Sequence, residues 1–544
     1  MLFSISQEHL RLIGFVLVVF VACMLKLVSM TTRWKNAPPG PPALPLIGNL
    51  HQIPKRDLHL QYQRWGQEYG PIFSLKLGSQ NVVVLTKGEV IKRVVDKRSG
   101  NYAGRPKLYM QDIWEGSRII MRGYDALWKV ERKLYHQFLN INKAQRYIPY
   151  QDVETKQLLV DMLSDSRDFE NLITRTTLSI ATSMAYGFRV LDPKSEVMLE
   201  LFRNTHGFFV MVNSSKFLDW YPQLRLVVKA FPSWIYPMAK KAKEVYYREK
   251  AQFRHLYTAA TRAAQVDNAL PSFSADISLA KESWKGSANG TLLTEHAASY
   301  IAGIAMEGAA DTSSNTLAGM IKAMMLFPAV QEKAQQELDS VVGHDRLPTM
   351  EDFESLPYIR QVTKEALRWL PTAISGAIPH ASLEDDEVDG YKIPRGTTIV
   401  LAVWAANNDP DLFPNPREFD PTRHNASLSF QEAASAPDYK DRDNWTFGAG
   451  RRICPGIHVA ERTLFLVTAR LLWMFNIYKA RDAHGNEIEV DKDEVTQSIA
   501  ARPVSFPCLV TPRSEKRAEI ARAEWEEAKN LLDENGNYRL NVLR

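Results

Sequence analysis

The strongest chemical signal in the sequence is one cysteine set among glycines and arginines. The decade Phe447-Gly448-Ala449-Gly450-Arg451-Arg452-Ile453-Cys454-Pro455-Gly456 runs directly into a long apolar stretch. Gly450 and Gly456 permit tight turns and close approach to a flat ligand. Arg451 and Arg452, with the N-terminus of the helix that follows, favour the thiolate of Cys454 over its thiol. A thiolate held in this way is a nucleophile or a metal ligand. The other cysteines are Cys23 and Cys508, so the sequence has no C-x-x-C pair for a zinc or iron–sulfur set. A single axial thiolate is sufficient for haem iron. The plain alternative is a buried cysteine acting as a small hydrophobe.

Three further groups carry chemistry by their spacing. Glu365 and Arg368 stand at i and i+3 of a helical pattern, and Trp128 and Arg132 at i and i+4, so each pair shares a face. Gly308-Ala309-Ala310-Asp311-Thr312-Ser313 lies midway along the apolar stretch from Leu292 to Phe327. An acid followed by hydroxyls is out of place in a helix meant only for packing, and a threonine bonding back one turn can open the helix locally. Taken singly, each has an ordinary reading: a surface ion pair, a solvated face, incidental Ser/Thr content.

The elements that must position these groups are mostly helical. Apolar periodicity predicts helices around Ala126 to Leu139, Val153 to Leu163, Leu172 to Tyr186, Lys240 to Val266, Leu292 to Phe327, Val330 to Val341, Ile359 to Leu370 and Ile457 to Phe475. Short strands are predicted at Val82 to Leu85 and Tyr391 to Val403. Leu12 to Met30 is an apolar run of about 19 residues, near the ~20 needed to cross a bilayer as a helix. Arg33 and Lys35 after it outnumber Arg11 before it, which leans towards a cytoplasmic body. Pro38-Pro39-Gly40-Pro41-Pro42 ends that helix and forms a stiff hinge. The predicted division is 1–11 short N-terminal segment, 12–32 transmembrane anchor, 33–50 Pro-rich hinge, 51–512 catalytic domain and 513–544 charged C-terminal extension, whose helix reads as a solvated surface helix.

Composition excludes several classes. At 544 residues, 45% hydrophobic and 24% charged, the chain is neither disordered nor a multi-span transporter. Lys plus Arg total 67 against 62 Asp plus Glu, a net +5 that supports no nucleic-acid role.

The cysteine loop matches every fixed position of F-x-x-G-x-R-x-C-x-G, and on it the chain resembles the cytochrome P450 superfamily. The resemblance implies a mainly α fold with small β-sheets, in a single large domain behind one membrane helix. It implies haem b with Cys454 as proximal ligand, Phe447 packed near the thiolate, and Arg452, Trp128 and Arg132 at the propionates. It implies a buried network of Glu365, Arg368 and Arg423, the last in a Pro421-Thr422-Arg423-His424 segment that has threonine where the family usually has an acid. Thr312 and Asp311 resemble the oxygen-activation pair, with Gly308-Ala309 departing from the usual glycine placement. The implied function is monooxygenation, by hydroxylation or epoxidation, of a hydrophobic small molecule at the endoplasmic reticulum membrane, with the body facing the cytoplasm. Electrons would come from NADPH through NADPH-cytochrome P450 reductase, with cytochrome b5 as a second donor. The absence of a fused flavin or Rossmann fingerprint agrees with a separate reductase. Tyr102 to Tyr124 and the aromatics Phe208, Phe209, Trp220, Tyr221, Trp234 and Tyr236 fall where the family places variable substrate loops. The sequence style resembles fungal microsomal members of secondary or aromatic metabolism. The competing functions are a P450-fold isomerase or dehydratase working without reductase, against which Asp311-Thr312 argues, and a non-catalytic haem-binding protein.

Overall fold

The computed structural model describes residues 7–231, 236–265 and 270–539. Trp234 and Val266, the end of one predicted helix, lie outside the described residues, as do the first six and last five positions of the predicted terminal segments. The longer helices are α1 (Gln7–Thr31), α2 (Leu58–Tyr69), α3 (Ala126–Leu139), α4 (Ile148–Ser164), α5 (Phe169–Tyr186), α6 (Glu196–Ser214), α7 (Met238–Ala263), α8 (Glu295–Leu326), α9 (Pro328–Val341), α10 (Pro357–Trp369), α11 (Ile457–Met474) and α12 (Glu515–Ala528).

Helix α8 is the axis of the fold because its sequence is small and apolar on every side, which only a fully packed helix can use. Thr294 starts it by accepting a hydrogen bond from the Ala297 amide at 3.1 Å. Its 32 residues span ~48 Å. Its first half joins a core with Phe208 of α6, Phe253 of α7 and Ile180 of α5. Its second half, from Leu317, joins a separate core with Trp369 of α10 and Phe465, Leu472 and Trp473 of α11. The Gly308 to Ser313 segment sits where the two cores meet.

Strands β1 (Ile72–Leu77), β2 (Gln80–Leu85), β3 (His380–Ala381), β4 (Asp386–Val388), β5 (Tyr391–Ile393), β6 (Thr398–Leu401), β7 (Phe475–Lys479) and β8 (Cys508–Pro512) form one four-stranded sheet and two hairpins. The larger sheet runs β1-β2-β6-β3, with Val82 beside Thr398 in a parallel pair. The single strand expected from Tyr391 to Val403 is two strands in different sheets. Pro394 and Gly396 (φ +81°) turn the chain between them, and Val403 already begins a short helix.

Residues 11–31 of α1 have mean hydropathy 2.6, with Leu12, Phe15 and Leu25 exposed, so the helix is long and apolar enough to cross a membrane. The Pro-rich segment after it is tied to the body. Arg33 donates to the carbonyls of Gly40 (3.2 Å) and Pro41 (2.6 Å), and the Ser74 amide of β1 donates to Pro39 (2.7 Å).

The C-terminal extension is a packed strap rather than a solvated helix. Ala518 and Ala521 of α12 are fully buried, and Arg513 and Arg517 both grip Asp339 at 2.6 Å. Beyond α12, the Tyr538 ring lies 4.8 Å from Tyr150, and its hydroxyl is 3.3 Å from Glu154, itself buried between Arg175 and Arg189. Tyr538→Ala should lower stability by about 3 kcal/mol, read as a lower thermal midpoint, with Tyr538→Phe restoring most of it because the ring carries the larger share.

Candidate active site

The cysteine loop is built on main-chain geometry that only glycine allows at two places. Gly448 (φ +74°) and Gly450 (φ +60°) both lie in the left-handed region. A Cβ on Gly450 would stand 2.4 Å from the Val95 carbonyl oxygen, and the Gly450 amide donates to Asp96 at 2.7 Å. The Cys454 amide donates to the Phe447 carbonyl at 2.9 Å, while the Phe447 ring packs 5.6 Å from Phe430. Gly456 has an ordinary φ of −94° as the N-cap of α11, and a Cβ there would meet Cys454 Sγ at 4.0 Å. A side chain there would make only ordinary contact with the sulfur, so neither a turn nor a clash requires glycine at 456.

The arginines flanking the cysteine in sequence do not face its sulfur. Arg451 bonds the Tyr124 hydroxyl, and Arg452 donates to the carbonyls of Ala103 (2.8 Å) and Arg122 (2.9 Å) while lying 4.3 Å over the Trp128 ring. The cation acting on the half-buried sulfur is Arg132 of α3. Burial pushes the thiol up, the Gly456 amide and Arg132 pull against it, and burial prevails. The loop arginines therefore do not make the thiolate as the sequence suggested. A bound metal would make it by displacing the proton.

Arg452 and Arg132 belong to a larger group of cations. Arg105 donates to the carbonyls of Ile120 (3.0 Å) and Ile378 (2.5 Å), and His380 Nδ1 lies 2.8 Å from the Tyr102 carbonyl. Burial first, then mutual repulsion, lowers Arg105 to about 9, Arg452 to about 10 and His380 to about 3. Burial also lowers Arg132. Among the described residues none of the four has a carboxylate within ion-pair distance. Buried guanidiniums gathered without counter-ions are costly unless an anionic group completes the site. Arg105 and His380 were missed in the sequence because each is an isolated residue that only the fold brings to Arg452.

Glu365 and Arg368 of α10 are both fully buried and joined by two 2.7 Å hydrogen bonds. Arg368 also donates to the carbonyls of Asn407 and Pro416, each at 2.8 Å. The expected third arm is shared. Arg423 Nε stands 3.5 Å from Glu365 and spends its other nitrogens on the carbonyls of Pro414 and Asn415. The next residue, His424, reaches Glu365 at 2.7 Å and Asp443 at 3.2 Å. Burial would lower His424, but hydrogen bonds to Asp443 and Glu365 overcome it and raise it above its ordinary value. Asn407 carries the network into the cysteine loop by accepting from the Trp445 amide at 2.8 Å.

On α8 the Thr312 hydroxyl bonds back to the Gly308 carbonyl at 2.6 Å. Gly308 and Thr312 are exposed in the middle of an otherwise buried helix, and a Cβ on Gly308 would meet no atom within 4 Å. They line one notch, one turn apart. Ala309, in the place of the expected second glycine, packs instead against the core, so Gly308 supplies the clearance. Burial, then the charge of Glu307, raises Asp311 to about 7, with Arg502 opposing. Of the expected substrate-loop aromatics, Phe208 is buried 5.3 Å from Trp114, whereas Trp220 and Tyr221 pack on the β1–β2 turn through Ser79 and Gly78.

The family model for cytochrome P450 matches residues 38–497. The chain belongs to the cytochrome P450 family. Cytochrome P450 monooxygenase virE of Hypocrea virens is 38% identical over 525 residues, covering 95% of this chain and 93% of that one. Cytochrome P450 monooxygenase fogE of Aspergillus ruber is 38% identical over 530 residues, covering 96% of each. A zebrafish cytochrome P450 solved with abiraterone superposes with TM-score 0.66 at 22% identity, over 84% of this chain and all of that one, a likeness of fold. This P450 is thus an enzyme of the monooxygenase type, and its family implies haem.

Haem fits the residues present. Its two carboxylates answer Arg105, Arg132 and Arg452, which lack carboxylate partners, its iron answers the Cys454 thiol, and a flat macrocycle fits the clearance left at Gly308. Basic residues gather on the P450 surface around α3, but not all of them are free to meet a partner. Arg146 is drawn in by Asp276 and Tyr147, and Arg462 bonds the carbonyls of His458 and Ile141. Lys129, Lys133, Lys143 and Arg451 remain exposed.

Proposed function

We propose that the chain is a haem-thiolate monooxygenase that inserts one atom of O2 into a hydrophobic small molecule, by hydroxylation or epoxidation. The observation that carries this reading is the Cys454 thiol with Arg132 beside it, together with Arg105 and Arg452, three half-buried guanidiniums of which none has a carboxylate within ion-pair distance among the described residues. When bound, haem b supplies oxygen activation opposite a thiolate that favours O–O cleavage. Cys454 binds the iron, with Phe447, Gly450 and Gly456 shaping its loop. Arg452, Arg132, Arg105 and His380 hold the propionates, with Trp128 stacked on Arg452. Glu365, Arg368, Arg423 and His424 fix the chain segment that carries the cysteine. Thr312 orients its hydroxyl through Gly308, and Asp311, raised to about 7, holds and exchanges a proton near neutral pH.

Residues 12–32 anchor the enzyme in the endoplasmic reticulum membrane, 33–50 join the anchor to the 51–512 catalytic domain in the cytoplasm, and 513–544 brace that domain. NADPH-cytochrome P450 reductase, with cytochrome b5 as a second donor, delivers electrons at the face bearing Lys129, Lys133, Lys143 and Arg451, where an acidic partner is favoured. The fungal relatives, at 34–38% identity among the first six, support a place in fungal secondary or aromatic metabolism.

The test is turnover of holoenzyme with reductase, NADPH and ¹⁸O2, using a substrate selected by its spectral shift. One labelled oxygen per product supports the reading. Turnover independent of NADPH and O2 contradicts it and indicates an isomerase or dehydratase. Thr312→Ala should leave haem content unchanged while product formation falls about 100-fold, the lower end of what one positioned proton-transfer group contributes, with peroxide rising in its place.

A further inference from the structure

Arg118 lies in the 109–125 segment, between a five-residue helix (Tyr109–Ile113) and α3. Its guanidinium is 1% exposed, stacks 3.8 Å over Phe208 of α6, and faces two buried carboxylates. It donates to Glu307 of α8 at 2.7 and 3.2 Å and pairs with Glu249 of α7. Glu249 also accepts from the Trp114 indole at 2.9 Å, and Glu307 from the Thr205 hydroxyl at 2.9 Å. Four elements therefore meet at one guanidinium. None of the three charged residues belongs to the family motifs above.

Glu307 stands one helical turn before Asp311, and its charge is felt there. The other charged group facing Asp311 is Arg502, which is shared with Glu170 at 3.6 Å. Tyr135 and Tyr186 sense the charge of Glu307, and Tyr300 that of Glu249. We propose that Arg118, Glu249 and Glu307 form a latch through which the 109–125 segment sets the charge facing Asp311, making Arg118 a positioning residue for proton delivery. With the segment seated, Arg118 offsets the charge of Glu307, so Asp311 releases its proton more readily. With Arg118 withdrawn, the bare carboxylate holds that proton in place. Proton release is thereby favoured when Arg118 is seated against Glu307. The inference rests on the proton-handling reading of Asp311.

Infrared titration of holoenzyme tests it, following the Asp311 carboxylic C=O stretch identified by its loss in Asp311→Asn. The midpoint is expected near 7 in the parent. Glu307→Gln keeps the hydrogen-bonding shape and removes the charge, so its midpoint should fall by about one unit, whereas Arg118→Gln should raise it. A structural role alone would move both in the same direction or neither, and either outcome overturns the proposal. If Arg118→Gln does not fold, Glu249→Gln replaces it: that change leaves Arg118 to Glu307 and must lower the midpoint, and an unmoved midpoint overturns the latch. Absence of a thiolate-type CO spectrum in the parent would defeat the haem-thiolate reading instead, and the titration would still report on the latch.

Discussion

Cys454→Ser is expected to abolish NADPH-driven product formation, by at least about 10³-fold, while leaving the protein folded. Serine is close in size, and the main-chain bond from residue 454 to the Phe447 carbonyl survives the change. What is lost is the polarizable thiolate. An alcohol beside the Gly456 amide and Arg132 stays protonated and donates little electron density to iron, so the step favoured by a thiolate has no driving group. The propionate cations are untouched, so haem should bind more weakly yet remain detectable. Product yield with reductase and the thermal midpoint, measured on one preparation, separate loss of chemistry from loss of fold. Retained turnover in this variant would contradict the assignment.

Glu365→Gln should be the most damaging change away from the cysteine. Among the described residues the carboxylate is the sole acidic partner of Arg368, which is fully buried, and it also holds His424. Removing one member of a buried charge cluster leaves the rest uncompensated, a loss of about 3–5 kcal/mol. Because Asn407 links this network to Trp445, the cost should appear as low haem incorporation in freshly purified protein. The two third-arm candidates should differ: His424→Gln should lower haem content and thermal midpoint more than Arg423→Gln, since His424 makes the 2.7 Å contact and Arg423 the 3.5 Å one. Equal losses would show the sequence motif to be the better guide.

The same network predicts a pH window. Burial alone would raise Glu365, but Arg368 first and then His424 overcome it, taking the carboxylate to about 2 from 4.5. A lowered acid stabilises the fold above its unfolded value and loses that contribution as pH falls from about 4.5 towards 2, roughly 3 kcal/mol in all. His424 is raised above 6.5, so its contribution is complete below that pH and disappears as pH rises through the folded value. Stability should therefore peak in the mildly acidic range, with His424→Gln flattening the alkaline side alone.

Residues that carry chemistry through local spacing were legible in the sequence. Glu365 with Arg368 and Asp311 with Thr312 lie within single helices whose periodicity is clear, and the cysteine loop is one contiguous decade of sequence. What escaped is what distant chain segments assemble. Arg105 and His380 are single residues 275 positions apart that meet through their shared neighbour Arg452. His424 lay next to the expected arginine but carried no spacing signal. The thiolate argument went astray because side chains adjacent in sequence at a turn diverge: Arg451 and Arg452 leave the sulfur, and Arg132 arrives from another helix. The C-terminal strap of α12 and the residues after it looked solvated because its charges are many, yet Ala518, Ala521 and Tyr538 are the positions that pack.

The most direct measurement is the reduced carbon-monoxide difference spectrum of the full-length holoenzyme beside Cys454→Ser. The account predicts the red-shifted Soret band of a thiolate opposite CO in the parent and its disappearance in the variant. A parent spectrum typical of a neutral nitrogen ligand, or a thiolate band that survives in Cys454→Ser, would contradict it.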